Sequence, residues 1–330
     1  MATLTLEAAE ARVAAALARN RTAEATAAVV ARALVAAEAD GLAGHGLGRV
    51  ASYAAQARVG KIDGFAEPAV SRPRPGVVAV DAAHGFAYPA LAAAVAALPE
   101  VAAEVGLAAA PIRRSHHAGA AGHPVEALAE AGLVALMFAN SPPAIAPWGG
   151  RTALFGTNPI AFAAPLGDRA PLVVDLSLSK VARGQVVAAK QRGEAIPAGW
   201  AFDAEGRATT DADAALAGTM APLGDAKGTA LALMVEMLAA ALTGANVARA
   251  ASSFLDAEGP PPGTGQLLVA FDPTALGGEA ARARITALAA MVEAEPGTRL
   301  PGARRLEARA RARARGLDVA DDRLAAIDAL

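Results

Sequence analysis

Two histidine settings in this chain have the makings of acid–base chemistry. In Gly44-His45-Gly46 an imidazole sits between two glycines, and Arg49 follows four residues after it. Glycine leaves the backbone loosely specified and lets a ligand approach closely, so a packing role for this histidine is poorly motivated. With an unshifted pKa of about 6.5, an imidazole gives and takes protons near neutrality. If the chain is helical from Leu47, the His45 and Arg49 side chains face one place. A guanidinium fork there holds both oxygens of a carboxylate. The plainer alternative is a surface histidine and a surface arginine at a helix start. The second setting is RRSHHAGAAGHP, Arg113 to Pro124, which carries three of the five histidines. Its small residues expose backbone N–H groups that can bind a pyrophosphate or carboxylate without a charged side chain, and a nicotinamide ring could rest beside them. Metal ligation by His116 and His117 is weakly indicated, because adjacent side chains diverge and no acidic motif accompanies them; the expected metal is none.

Four further groups belong with these. Thr157 sits in the turn GTNP after an apolar run and can hydrogen-bond a ligand. Asp175 ends the run PLVVD, where it is either an exposed functional group or a turn cap. GDAKG places Lys227 and Gly228 at the start of a long helix, and a helix N-terminus with a lysine is an anion site. LPGARR offers Arg304 and Arg305 to an adenosine 2'-phosphate, or is a plain surface tail.

At 330 residues the chain has ample material for a core, as one large domain or two to three intertwined ones. A formal charge of -2 gives no field that recruits nucleic acid or an anionic membrane, so neither is an expected partner. The absence of cysteine excludes disulfides and thiolate chemistry. The N-terminus reads as an amphipathic helix, not a secretion signal, and TALALMVEMLAAALTG, interrupted by Glu236, as a core helix short for a membrane span. A cytoplasmic protein is expected.

Residues 6 to 40 read as two helices broken at Asn20-Arg21, with Thr22 as N-cap of the second. A helix is expected over 48–58, then a Pro-rich linker, EPAVSRPRPG, then a strand at 77–83. The text from Tyr88 to Gly106 is helical, broken by Pro99. Apolar runs at 132–141, GTNPIAFAAP, PLVVDLSLS and 264–273 read as strands. Residues 184–216 read as loop with one hairpin, 278–294 as helix, and the Arg-rich tail as a solvated helix. No GxGxxG follows any strand, so a conventional dinucleotide fold lacks its fingerprint.

In this order, DGLAGHGLGR, SHHAGAAG, FGTNPIAFAAP, PLVVDLSLSKVARG, PLGDAKGTALALMVEMLAAALTG and LPGARR resemble the malate/L-lactate dehydrogenase family, distinct from the Rossmann-type enzymes of those names. The resemblance spans nearly the whole chain. It implies an NAD- or NADP-dependent oxidoreductase that interconverts 2-oxo and 2-hydroxy acids, or cyclic ketimines and imino acids. It also implies an α/β fold with a non-Rossmann, largely antiparallel cofactor-domain sheet flanked by helices, plus a helical and mixed domain formed by both chain ends. The expected segments are 1–110, carrying the acid–base residue, 111–262, binding NAD(P), and 263–330, returning to the N-terminal region. A homodimer sharing its active sites is implied. By the same resemblance, His45 is the acid–base residue, Arg49 the carboxylate clamp and Thr157 a substrate contact. His116, His117, Ala118, Gly119 and Ala120 cradle the cofactor, as do Asp175, Leu176 and Ser177, Lys227 and Gly228, and Pro301, Gly302, Arg304 and Arg305.

Two departures stand out. The family usually has Ser immediately before the catalytic His, where this chain has Gly44. In the branch resembling Δ1-piperideine-2-carboxylate/Δ1-pyrroline-2-carboxylate reductases, an aspartate follows the (H/R)G pair and completes a Ser-His-Asp relay; here Arg183-Gly184 is followed by Gln185. Without that carboxylate His45 lacks the partner that would raise its pKa. A small 2-oxo acid is therefore the expected substrate, a cyclic ketimine the alternative, and a non-catalytic small-ligand binding protein a further one.

Overall fold

Short apolar runs need a partner on each side to satisfy their backbone, and this chain supplies it with one seven-stranded sheet. The computed structural model describes residues 1–330. The strands are β1 (Ala69–Arg74), β2 (Val77–Asp81), β3 (Leu107–Ser115), β4 (Val134–Ala139), β5 (Ile160–Leu166), β6 (Arg169–Leu176) and β7 (Thr264–Phe271). Their spatial order is β1-β2-β3-β7-β4-β5-β6. Only β2 and β3 pair in parallel; every other neighbour is antiparallel. The late strand β7 occupies the middle, where Leu268 sits opposite Ala110 on one side and Met137 on the other.

Helices cover both faces. α4 (Ala87–Val105) and α5 (Gly122–Glu130) bury Leu91, Leu98, Val101, Val125 and Leu128 against Ile112, Met137 and Leu268. Full burial of each such side chain contributes about 1.5–3 kcal/mol. α4 has the length and apolar character of a membrane-crossing helix, yet one side of it is committed to this core. On the other face, α7 (Ala226–Glu236) runs into a π-turn over Met237–Ala241, packing Val235 and Ala239 on Leu267 and Phe138. A third cluster joins the two chain ends. α1 (Leu6–Arg19), α2 (Glu24–Ala39) and α3 (Val50–Val59) share it with Leu317, Val319, Leu324 and Ile327, and Ala2–Leu4 pairs with Leu317–Val319.

Several expectations are corrected. Ala23, not Thr22, is the N-cap position of α2; Thr22 instead bridges Gly64, and its hydroxyl is buried without a partner. The Pro-rich linker contains β1, an edge strand, where a missing proline N–H costs no ladder bond. Pro99 sits inside α4 without ending it. The expected loop after 184 opens with α6 (Arg183–Arg192) and holds a second helix at Ala212–Ala217; the hairpin is the pair Ala201–Phe202 with Ala208–Thr209. The helix expected from 278 begins at Ala281, and the helix expected over 48–58 begins at Val50, after a 3-10 turn over Leu47–Arg49. β3 lies where the sequence carries only weak strand text, just before SHHAGAAG. The segment boundary at 110 falls inside β3, and all three expected segments contribute strands to the one sheet.

Candidate active site

The Gly44-His45-Gly46 turn is clamped from below by α2. Leu47 N–H donates to Glu38 Oε2 at 2.8 Å, and a Cβ on Gly46 would run into Glu38, side chain and backbone alike. Glycine is required there for close approach. Arg49 Nε donates to the Gly44 carbonyl at 2.7 Å and braces the turn from the other side. A Cβ at Gly44 meets nothing within 4 Å. The side chains thus held line a cleft of about 1620 Å³, well above the roughly 300–1,000 Å³ of ordinary ligand pockets.

His45 stacks on His117, with ring centroids 5.2 Å apart and planes 8° from parallel. Burial, then the charges of Arg49 and His123, lowers His45 to about 4. Its Nδ1 and Arg49 Nη1 are enclosed polar atoms with no partner within the fold. Behind them runs a hydrogen-bonded chain: Tyr53 Oη lies 2.6 Å from His117 Nδ1 and 3.1 Å from Tyr88 Oη. Burial holds both phenols protonated, with Tyr53 pushed up to about 12. Tyr88 donating to Tyr53, and Tyr53 to Nδ1, leaves no hydroxyl proton without an acceptor. That arrangement puts the remaining His117 proton on Nε2. Neither tyrosine was singled out by sequence reasoning, because they come from α3 and α4, distant in the chain.

A buried ion network lies under the same cleft. Asp40, at the end of α2, accepts from His123 Nε2 at 2.9 Å and from Arg309 Nε at 2.7 Å. Arg309 and Arg305 extend from α8 (Ala303–Arg315), and Arg305 also forks onto Glu126 of α5 at 2.6 and 2.7 Å. Burial alone would raise Asp40 and Glu126; the bonds from the arginines, and from His123 to Asp40, outweigh it and hold both carboxyls below their ordinary values. The network joins the first, middle and last parts of the chain at one point. Asp40, Glu126 and Arg309 were not foreseen.

The expected cofactor residues divide. His117, Gly119, Ala120, Asp175, Leu176, Ser177, Pro301, Gly302, Arg304 and Arg305 line the cleft, as do His45, Arg49 and Thr157. His116 does not: adjacent side chains diverge, and His116 points into the core, 1% exposed, with Nε2 at 2.8 Å from Gln56 Oε1. Ala118 is buried beside it, away from the cleft. Lys227 and Gly228, at the start of α7, also lie outside the cleft; Gly228 is there because a Cβ would strike the backbone of Leu223. Arg305 lines the cleft, but its guanidinium is committed to Glu126 and Asp40. Arg304 and the unforeseen Arg299 are exposed at the cleft and have no acidic partner.

The cleft suits a nicotinamide dinucleotide. Gly119 adopts φ +67°, and a Cβ there would sit 2.6 Å from Tyr88 Oη, so only bare backbone fits. Gly302 is left-handed at φ +84°, which favours glycine, and a Cβ there would make a tight 3.1 Å contact with the Val173 carbonyl oxygen. Asp175, at the end of β6, accepts from Gly122 N–H at 2.8 Å, and enclosure raises its carboxyl above its ordinary value although its edge opens to the cleft. Thr157 is fixed by Ser141, whose Oγ accepts from Thr157 N–H at 3.0 Å. Asn158, left-handed at φ 39°, is held by donating to Glu236 Oε2 at 2.8 Å and the Ala232 carbonyl at 2.9 Å. Gln185 is exposed and does not line the cleft, while Arg183 does.

The family model described as malate/L-lactate dehydrogenase matches residues 4–328. A (2R)-3-sulfolactate dehydrogenase (NADP(+)) of Chromohalobacter salexigens is 56% identical over 278 residues, covering 84% of this chain and 83% of its own. A Delta(1)-pyrroline-2-carboxylate reductase of Ancylobacter novellus is 41% identical over 304 residues, covering 91% and 89%. The crystal structure of delta1-piperideine-2-carboxylate reductase from Pseudomonas syringae pvar. tomato superposes with a TM-score of 0.94 at 38% identity, covering 100% of this chain and 99% of that one.

Proposed function

The chain belongs to the malate/L-lactate dehydrogenase family, and from that premise we propose that it interconverts a small 2-oxo acid and its 2-hydroxy acid, of the malate, lactate or sulfolactate kind, with a nicotinamide cofactor. The observation that carries this reading is the pairing of His45 Nδ1 and Arg49 Nη1, two enclosed polar atoms without partners, in one cleft with the glycine-rich walls. Identity of 56% to a sulfolactate dehydrogenase supports it.

When bound, the cofactor supplies or accepts the hydride at C2 of the substrate. Arg49 holds the C1 carboxylate and so orients C2. In oxidation the neutral imidazole of His45 takes the hydroxyl proton; in reduction its protonated form returns one to the oxygen. Thr157, set rigidly by Ser141 and the Asn158–Glu236 bond, offers a hydroxyl to the substrate. Gly119, Ala120, Asp175, Ser177, Pro301 and Gly302 would hold the cofactor, with His117 beside the ring. Arg304 and Arg299, free of acidic partners, support NADP over NAD. The mostly antiparallel sheet supports a cofactor domain unlike the doubly wound kind, with the chain ends packed as a second unit on its own cluster.

A cyclic ketimine substrate is the second reading, supported by the superposition on the piperideine-2-carboxylate reductase. Against it, the charges acting on His45 are those of Arg49 and His123, with no carboxylate among them. A cytoplasmic homodimer completes the proposal; Leu231, Leu233, Met234, Met237 and Leu242 are exposed along α7 and its continuation, a surface suited to a second copy. Oxidation of NADPH and NADH with a panel of 2-oxo acids and cyclic ketimines tests the function. Turnover of 2-oxo acids, faster than of any ketimine, is expected; turnover of ketimines alone would reverse the order of the two readings.

A further inference from the structure

Resting on the reading of the cleft as a 2-oxo acid dehydrogenase site, we propose that Arg183 is a specificity-determining residue that holds a second anionic group of the substrate, so that dianionic 2-oxo acids bearing a sulfonate or carboxylate on C3 are preferred. Arg183 opens α6 and lines the cleft, half-buried. Burial disfavours its charge and no acidic side chain offsets this; its one hydrogen bond runs from Nη2 to the Leu216 carbonyl at 3.0 Å. The other arginines of the cleft have duties elsewhere. Arg49 stands beside His45, Arg305 is spent on Glu126 and Asp40, and Arg299 and Arg304 are exposed near Pro301. Arg183 is thus a partly desolvated cation with no counter-charge, an arrangement that costs stability unless an anion arrives.

Its position is fixed relative to Thr157. Leu178 N–H donates to the Thr157 carbonyl at 2.8 Å, Ser177 and Ser179 share a 2.8 Å hydrogen bond, and Ser179 Oγ donates to the Val181 carbonyl at 2.7 Å. Lys180 N–H is tied to the Ala221 carbonyl at 2.8 Å. The short path from Leu178, bonded to Thr157, to Arg183 is tied down by these bonds, and Leu216 anchors one end of the guanidinium. The remaining N–H groups form a fork that matches two oxygens of a sulfonate or carboxylate.

The test is the ratio of kcat/KM for 3-sulfopyruvate and oxaloacetate to that for pyruvate and 2-oxobutyrate, at saturating NADPH, in the wild type, Arg183→Gln and Arg183→Lys. A charge-assisted hydrogen bond is worth about 1.5–3 kcal/mol, so the ratio falls at least about tenfold in the Gln variant. A smaller fall overturns the role of Arg183. Should circular dichroism show the Gln variant unfolded, the Lys variant decides: it keeps the charge and loses the fork, and its ratio falls at least about threefold, an unmoved ratio overturning the role. A wild type that turns over no 2-oxo acid sinks the underlying reading, whereas a wild type active on these acids with an unmoved ratio in the variants sinks Arg183 alone.

Discussion

Raising the pH from 5 to 8 separates the two directions of the reaction. Burial first, and then Arg49 and His123, places His45 at about 4, against about 6.5 for a free imidazole. The difference amounts to about 3 kcal/mol against imidazolium. At pH 7 the free protein therefore holds about one protonated His45 in a thousand, and nearly all of it is already the base that oxidation needs. Because kcat/KM for the acid reports ionisations of the enzyme form that meets it, and bound cofactor only encloses His45 further, kcat/KM for 2-hydroxy acid oxidation stays flat across this range. That for 2-oxo acid reduction falls close to tenfold per pH unit. Initial rates in both directions, at saturating cofactor and constant ionic strength, provide the assay. A reduction profile level to about pH 6.5 and breaking only there would show an unperturbed imidazole and refute the argument from burial. So would an unchanged profile in His45→Gln.

Arg49→Gln removes the carboxylate fork; KM for the 2-oxo acid is expected to rise about 10- to 100-fold with a smaller change in kcat, measured by steady-state kinetics. Gly119→Ala forces a Cβ against Tyr88 at φ +67°; Tm falls and NADPH binds more weakly, by thermal melting and fluorescence titration. Arg309→Met leaves Asp40 to Arg305 and His123 and leaves Glu126 to Arg305 alone, an expected loss of about 1.5–3 kcal/mol by urea unfolding. Burial, then Lys61 and Arg49, lowers His116 to about 3. Its contribution is full above the unfolded value of about 6.5 and is lost as pH falls toward 3, at up to about 1.4 kcal/mol per pH unit; His116→Gln should flatten the difference between unfolding free energies at pH 7.5 and pH 5.

The strands most visible in the sequence were those that carry their own apolar signal. β4, β5, β6 and β7 are runs rich in branched and large side chains, bounded by Gly, Pro and Asp. β3 carries only a weak signal because Ala108, Ala109 and Ala110 are helix formers; partners on both sides, β2 and β7, override that propensity. α6 was hidden by polar text, its burial limited to Val186 and Ala189. In the site, local spacing was enough to bring His45 and Arg49 to one cleft, since both lie on consecutive turns held by Glu38. It was not enough to decide which of His116 and His117 faces that cleft, because the side a strand end presents depends on what packs behind it, here Gln56, Tyr53 and Phe254. The Asp40–Arg309–Glu126 network spans the whole length of the chain, and no local pattern encodes it.

The most direct test of the account is His45→Ala, measured twice on the same preparation. The account predicts that steady-state reduction of the best 2-oxo acid at pH 7 collapses while the dissociation constant for NADPH stays within about twofold, since His45 handles the substrate's proton and does not hold the cofactor. Full turnover at pH 7 in that variant would contradict it.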